Sequence, residues 1–215
     1  MPYTQVNDKV VKVPVQPGRH VVGRRGAMLG YTGRVTFHPA GVGGAPGGVV
    51  GRMVAGEHVP MMVAEGAGEV LYGYHGLHVH VVDLDGTQPL SVESDRLLVH
   101  DATLQPSVVF LGSQGGVRGA VRGMVAGQGL FTTQLAGAGG AALLAHGGVF
   151  EIAVAPGRTV AVDPQAYVAH RGALRVEVSA HVGWREAVGR GSGEAIQLKV
   201  TGTGTVFVQA SEEKL

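Results

Sequence analysis

The chain has 215 residues, ample for one large domain or several small modules, and 17 Lys and Arg against 16 Asp and Glu leave a formal charge of +1. That balance supplies no whole-protein field to draw in nucleic acid or an anionic membrane, so either partner would need a local patch. Cysteine is absent, which excludes disulfides, thiolate metal sites and a cysteine nucleophile together.

The N-terminal "MPYTQVNDKVVKVPVQPG" carries polar residues and prolines where a secretory signal would carry an apolar core, so no export signal is expected. No apolar run reaches the roughly 20 residues of a membrane-spanning helix. A soluble, cytoplasmic protein is the expectation, with peripheral membrane association left open. "GVGGAPGGVVG" at 41 to 51 lacks the Gly-Lys-Ser/Thr ending of a phosphate loop and reads as a connection. Period-2 alternation then marks strands in "LHVHVVDL" at 77 to 84, "LSVESDRLLVH" at 90 to 100, "VFEIAVA" at 149 to 155, "LRVEVSAHV" at 174 to 182 and "TVFVQA" at 205 to 210. Each run is bounded by Gly, Pro or Asp, which predicts an all-β chain. The best helix candidate is the short "GWREAVG" around Trp184, and it has no convincing cap. The 37 glycines, against an average usage of about 7%, alternate with valine-rich runs and are assigned to tight turns that need positive φ.

The chain repeats itself. At an offset of 71, Met53, Val54, Ala55, Gly56, Gly66, Ala67, Gly68, His75 and Gly76 fall without a gap on Met124, Val125, Ala126, Gly127, Gly137, Ala138, Gly139, His146 and Gly147. After one indel, "LSVESDRLLVH" falls on "VAVDPQAYVAH", so His100 meets His170. "PGRHVVGRRGAMLGYTGRVTF" from Pro17 matches the stretch from Pro156 at an offset of 139, and "TGTGTVFVQA" from Thr201 matches that from Ala136 at an offset of 65. Three units of about 70 residues follow, near 51–121, 122–188 and 1–50 with 189–215, the last split between the termini. A unit this small cannot bury a sheet face alone, so a single compact domain is predicted, with three units around a pseudo-threefold axis and the chain ends pairing to close a ring.

The blocks "GQGLFTTQLAGAGGAALLA" at 127 to 145, "VAPGRTVAVDPQAYVAH" at 154 to 170 and "GSGEAIQLKVTGTGTVFVQA" at 191 to 210 resemble the altered inheritance of mitochondria protein 24 family and its bacterial homologues. The family pattern maps to Gly127, Gly129, Leu130 and Phe131; to Gly137 and Gly139; to Pro156, Gly157, Val162 and Asp163; and to Gly202, Gly204, Thr205, Val206, Phe207 and Gln209. Ala138 replaces a middle proline, and Glu194-Ala195-Ile196 stands where Gly-Leu-Phe is expected. The resemblance implies a fold similar to the trp RNA-binding attenuation protein, repeated within one chain as a compact pseudo-trimeric ring. It implies no catalytic residue and no cofactor. The mitochondrial relative's association with inner-membrane organisation implies a scaffolding role.

Candidate chemistry is sparse. His78 and His80 in "GYHGLHVHVVDLDG" faintly resemble the first metal motif of cupins, whose strand histidines hold a divalent metal. The following acidic residue and glycine come too early, no second motif follows, and His78 and His80 become Val149 and Glu151 in the next unit; these histidines are expected on the polar face of an exposed strand. His75 with His146, and His100 with His170 and Tyr31, occupy matched positions and are read as turn residues that satisfy nearby backbone groups. Ser113 and Ser192 do not sit in a nucleophile elbow, and no carboxylate pair stands out as acid and base. Arg118 and Arg122 flank a Gly-rich stretch suited to an anion, and Arg24, Arg25 and Arg34 form the most basic segment. With 5% aromatic content, stacking on single-stranded RNA is disfavoured. The expectation is a non-catalytic scaffold or binding protein whose partner is another protein or a membrane surface, with a homo-oligomer open. A metal-dependent cupin-like enzyme and an RNA or polyanion binder are the alternatives.

Overall fold

The structure is a computed structural model and describes residues 3–40, 59–110, 131–180 and 196–213. Four strands precede residue 41: β1 (Thr4–Asn7), β2 (Val10–Val15), β3 (Val21–Arg24) and β4 (Met28–Pro39). Then come β5 (Met61–Tyr72), β6 (His78–Asp85), β7 (Leu90–Glu93), a single 3-10 turn η1 (Ser94–Arg96), β8 (Leu97–Asp101) and β9 (Gln105–Phe110). The chain continues through β10 (Phe131–Ala136), β11 (Ala138–Ala145), β12 (Val149–Val154), β13 (Val160–Val162), β14 (Tyr167–Ala180) and β15 (Ile196–Gln209). The all-β expectation holds, while the candidate helix around Trp184 lies outside the described residues.

All strand pairs are antiparallel. One sheet runs β1-β2-β5-β3-β8-β11-β6 with β4 also on β5, and the other runs β12-β15-β14-β7-β10-β9 with β13 also on β15. Three buried clusters result. The first, around Val13, Val70 and Leu144, belongs to the first sheet, and the third, around Val162, Leu198 and Val206, to the second. The middle cluster takes Leu84 and Leu143 from the first sheet and Val92, Leu135 and Phe207 from the second, so it joins them. Burying a Leu, Val or Phe side chain stabilises by about 1.5–3 kcal/mol, which is why apolar alternation dominates strand choice here.

Three expectations need correction. "LSVESDRLLVH" is two strands separated by η1, because the 3-10 turn carries Arg96 inward to Glu93, three residues back, where its Nε lies 2.7 Å from the carboxylate. The chain ends do not pair with each other: β1 and β2 lie in the first sheet, and β15 is flanked by β14 on one side and by β12 and β13 on the other, leaving no edge for them. Turns do not absorb every positive-φ glycine. Gly33, Gly66, Gly172 and Gly202 sit inside long strands with φ of 83°, 124°, 111° and 119°. Gly33 faces Gly68 and Gly172 faces Gly204, so both long pairs cross at a point where neither backbone carries a side chain. Among the described residues no helix is long and apolar enough to cross a membrane.

Candidate functional site

A cleft of about 190 Å³ lies where the β1–β2 corner meets β6, lined by Gln5, Asp8, His78, Val79, His80, Gly148 and Val149. Two hydrogen bonds build it: the Gln5 amide donates to the carbonyl of Val79 at 3.1 Å, and the Val79 N–H donates to the carbonyl of Asp8 at 2.8 Å. Strand alternation buries Val79 toward the first cluster and sends His78 and His80 to the side of Val82 and Leu84. Gly148 and Val149 enter the lining at the turn out of β11, where Gly147 and Gly148 have φ of 73° and 89°.

His78 and His80 are therefore half-buried rather than on an exposed polar face. The reason is non-local: the His80 ring lies 5.7 Å from that of Phe207, delivered by the other sheet. Burial lowers the pKa of His80, with the nearby Glu151 carboxylate opposing, so the imidazole is neutral at physiological pH and able to act as a donor or ligand. No three His, Asp or Glu side chains converge among the described residues. Ligand pockets for drug-sized molecules span about 300–1,000 Å³. A cleft of this size suits a small ion or one side chain.

Most buried polar groups serve other ends. Arg96, wholly buried, donates from Nε to Glu93, from Nη1 to Oε1 of Gln209, and from Nη2 to the carbonyls of Gln165 at 3.1 Å and Glu213 at 3.5 Å. Gln209 also accepts from the backbone N–H of His146 at 2.9 Å and donates from Nε2 to Ser211 and Glu213 carbonyls. This node binds η1, the turn before β14 and the C-terminal tail together. A second node centres on buried Asp101, whose carboxylate takes Arg19 at 3.0 Å, the Gly140 N–H at 2.9 Å and the Tyr3 hydroxyl at 3.3 Å. Burial, and secondarily Asp101, pushes the Tyr3 phenol far above its ordinary range, so it remains a donor. Arg96, Asp101 and Tyr3 were not anticipated from sequence. The available signal is a lone arginine in "SDRLLVH" at a position that the apolar pattern directs inward.

The other anticipated residues are scattered. Arg24 donates from Nη1 to the Asp95 carbonyl and lies 4.3 Å over the Tyr74 ring, while Arg25 is exposed. Arg118, Arg122, Gly127, Gly129 and Leu130 lie outside the described residues, and Phe131 opens β10. Gly137 and Gly139 flank Ala138 where β10 passes into β11, and a Cβ on Gly139 would meet Thr103 and Asp101 at about 3 Å. Pro156 and Gly157 form the turn from β12, closed by the Arg158 N–H donating to the Ala155 carbonyl at 3.0 Å. The Asp163 carboxylate accepts from the Gln165 N–H at 2.6 Å, an Asx turn that leads into β14. Gly202 and Gly204 lie within β15.

Of the matched histidines, His75 is a turn residue with φ of 47° and His146 precedes Gly147. His100 and His170 instead lie within strands and are buried, because both neighbouring strands of β8 and of β14 are in place. Nδ1 of His100 lies 2.9 Å from the Asp101 carbonyl, and Nδ1 of His170 lies 2.6 Å from the Tyr167 hydroxyl. Burial lowers both, that of His170 to about 4. Unfolded histidine titrates near 6.5, so between about pH 6.5 and 4 the unfolded chain binds a proton that the folded chain refuses. Stability from His170 is full above about pH 6.5 and falls with decreasing pH, by on the order of 3 kcal/mol at pH 4. Urea unfolding of the protein and of His170→Gln across this range is expected to show a shallower slope in the variant. Equal slopes would place the proton uptake elsewhere.

The family model described as Mitochondrial biogenesis AIM24 matches residues 3–211. No curated protein matches the chain. Among solved structures, the crystal structure of protein SPYM3_0169 from Streptococcus pyogenes is similar, with a TM-score of 0.73 and 22% identity over 97% of this chain and 92% of that one. At that identity the likeness is one of fold.

Proposed function

This chain belongs to the Mitochondrial biogenesis AIM24 family, and on that premise we propose that it is a non-catalytic scaffold built from three equivalent β units. The observation that carries this reading is the recurrence of one pairing scheme. β2, β6 and β12 each pair with the long strand or strand pair that begins the next unit: β5, β11 and β15. The short strands β3, β7 and β13 pair with β5, β10 and β15 in the same way. Register agrees as well: Tyr31 faces Val70, His100 faces Ala141 and His170 faces Val206. The partners stand 71 and 65 residues apart, the offsets at which the sequence repeats.

Each unit thus lends strands to its neighbour, and the buried Arg96 and Asp101 nodes spend their polar groups on cross-strand ties. Such a body suits docking on rigid surfaces, including a role in membrane organisation through bound partners. The unit is proposed to resemble that of the trp RNA-binding attenuation protein. A second reading, metal binding, is favoured only by the shared face of His78 and His80 beside Asp8 in the cleft.

Native mass spectrometry with elemental analysis, without added metal, separates the two. The scaffold reading expects the chain mass or an integer multiple with no stoichiometric ion. A stoichiometric metal that disappears in His78→Ala/His80→Ala would replace it with the metal reading.

A further inference from the structure

Among the described residues, one strand edge lacks the partner that its two counterparts have. β8 lies between β3 and β11, and β14 lies between β7 and β15. β4 pairs with β5 alone among the described residues, and β13 pairs with β15 alone. Burial follows the pairing. Leu29 is 59% exposed where its counterparts Leu98 and Val168 are 0%, and Tyr31 is 50% exposed where His100 is 3%. Met28 is exposed too, whereas its counterparts Leu97 and Tyr167 are buried.

The core clusters tell the same story. Leu98 enters the first cluster and Val168 the middle one. By that progression Leu29 would enter the third, yet it faces solvent. Three neighbouring large apolar side chains on a free edge are an association surface of the kind proteins usually cover or charge.

The chain itself shows what fits that edge. Where β3 covers β8, Val22 stands opposite His100; where β7 covers β14, Ser91 stands opposite His170. Carried to the third position, β13 would cover β4 with Ala161 opposite Tyr31 and Val162 opposite Gly30. A Cβ on Gly30 meets open space, so the β-branched Val162 has room there. β13 is a short uncharged Val-Ala-Val segment whose other edge pairs with no strand among the described residues. Every copy of the chain therefore carries both complementary halves.

We propose that the β4–β13 seam is the contact between two copies of this chain, β13 of each adding to the β4 edge of the other. Reciprocal pairing satisfies both edges in a closed twofold arrangement. This inference rests on the threefold reading of the pairing scheme.

The absence of cysteine makes the test direct. Facing residues of antiparallel strands have Cα atoms about 4.5–5.5 Å apart, inside the range a disulfide spans. Tyr31→Cys and Ala161→Cys, prepared separately and mixed under mild oxidation, are expected to cross-link to each other in preference to themselves. Sedimentation velocity is expected to show a dimer of the unaltered protein, weakened about tenfold or more by the exposed-site change Leu29→Lys. If Tyr31→Cys/Ala161→Cys in one chain closes instead on itself in a monomer, the second-copy proposal fails while the threefold register stands. Preferential self-linking of either single variant overturns the pairing of unlike edges. A monomer with no cross-link overturns the seam and the register reading together.

Discussion

Gly202→Ala and Gly66→Ala should each destabilise the protein by about 4 kcal/mol or more, enough to remove a large share of the stability of an ordinary domain. Gly202 has φ of 119°, and a Cβ there would run into the carbonyl oxygen of Ala173; Gly66, with φ of 124°, would strike that of Arg34 in the same manner. The obstructing atoms are backbone in a paired strand, so no side chain can swing away. Positive φ alone costs a non-glycine residue about 1–3 kcal/mol, and the collision adds to it by prying apart β4 from β5 or β14 from β15. Gly30→Ala is the control, since its Cβ meets nothing within 4 Å. It should change stability by less than about 1 kcal/mol. Chemical denaturation of the three variants decides the matter: a loss below about 1 kcal/mol for Gly202→Ala would mean that the strands do not approach as closely as described.

Arg96→Ala is expected to cost about 3–5 kcal/mol, the range for removing one partner of a buried charge pair. The guanidinium is wholly buried and its three nitrogens reach Glu93, Gln209, Gln165 and Glu213. Deleting it takes the cation from beside the Glu93 carboxylate and a donor from Gln209. Arg96→Lys keeps the charge but lacks the planar fork whose three separate nitrogens serve these acceptors, so it should fall between the protein and the alanine variant. Pairing Arg96→Ala with Glu93→Gln should recover part of the loss, because the carboxylate that faced the guanidinium then carries no charge. Hydrogen exchange supplies a local readout. The backbone amides of residues 209–213, in the tail whose Glu213 carbonyl accepts from Gln209 and the arginine, should lose protection in Arg96→Ala before the β5–β2 pair does. Equal protection in the unaltered protein and in Arg96→Ala would show that the node does not anchor the C-terminal tail.

These effects were legible in the sequence to different degrees. The Gly-x-Gly of residues 66–68, 137–139 and 202–204 stands out as a repeated motif, but a turn is the natural assignment for a positive-φ glycine. Only the opposite strand reveals that Gly66 and Gly202 are sites of close crossing. Arg96 stands at an inward position of the apolar pattern, but its partners, Gln209, 113 residues away, and the Gln165 carbonyl, are supplied only by the tertiary structure. His78 and His80 alternate with valines as residues of a half-exposed strand do, and it is Phe207 that lies against the His80 ring.

By itself the sequence determined that the chain is all-β and that similar segments recur at offsets of 71, 139 and 65. Both are properties of local order: alternation along a strand fixes which side chains share a face, and repetition needs no knowledge of what the segments touch. Tertiary structure decided which edges meet, that β15 is enclosed by β12, β13 and β14 rather than by the N-terminal strands, and that among the described residues β4 pairs with β5 alone. It also decided the protonation of His170, buried by neighbours on both sides. Strand pairing is chosen by the burial gained across many residues of sequence separation, and no single strand carries that information.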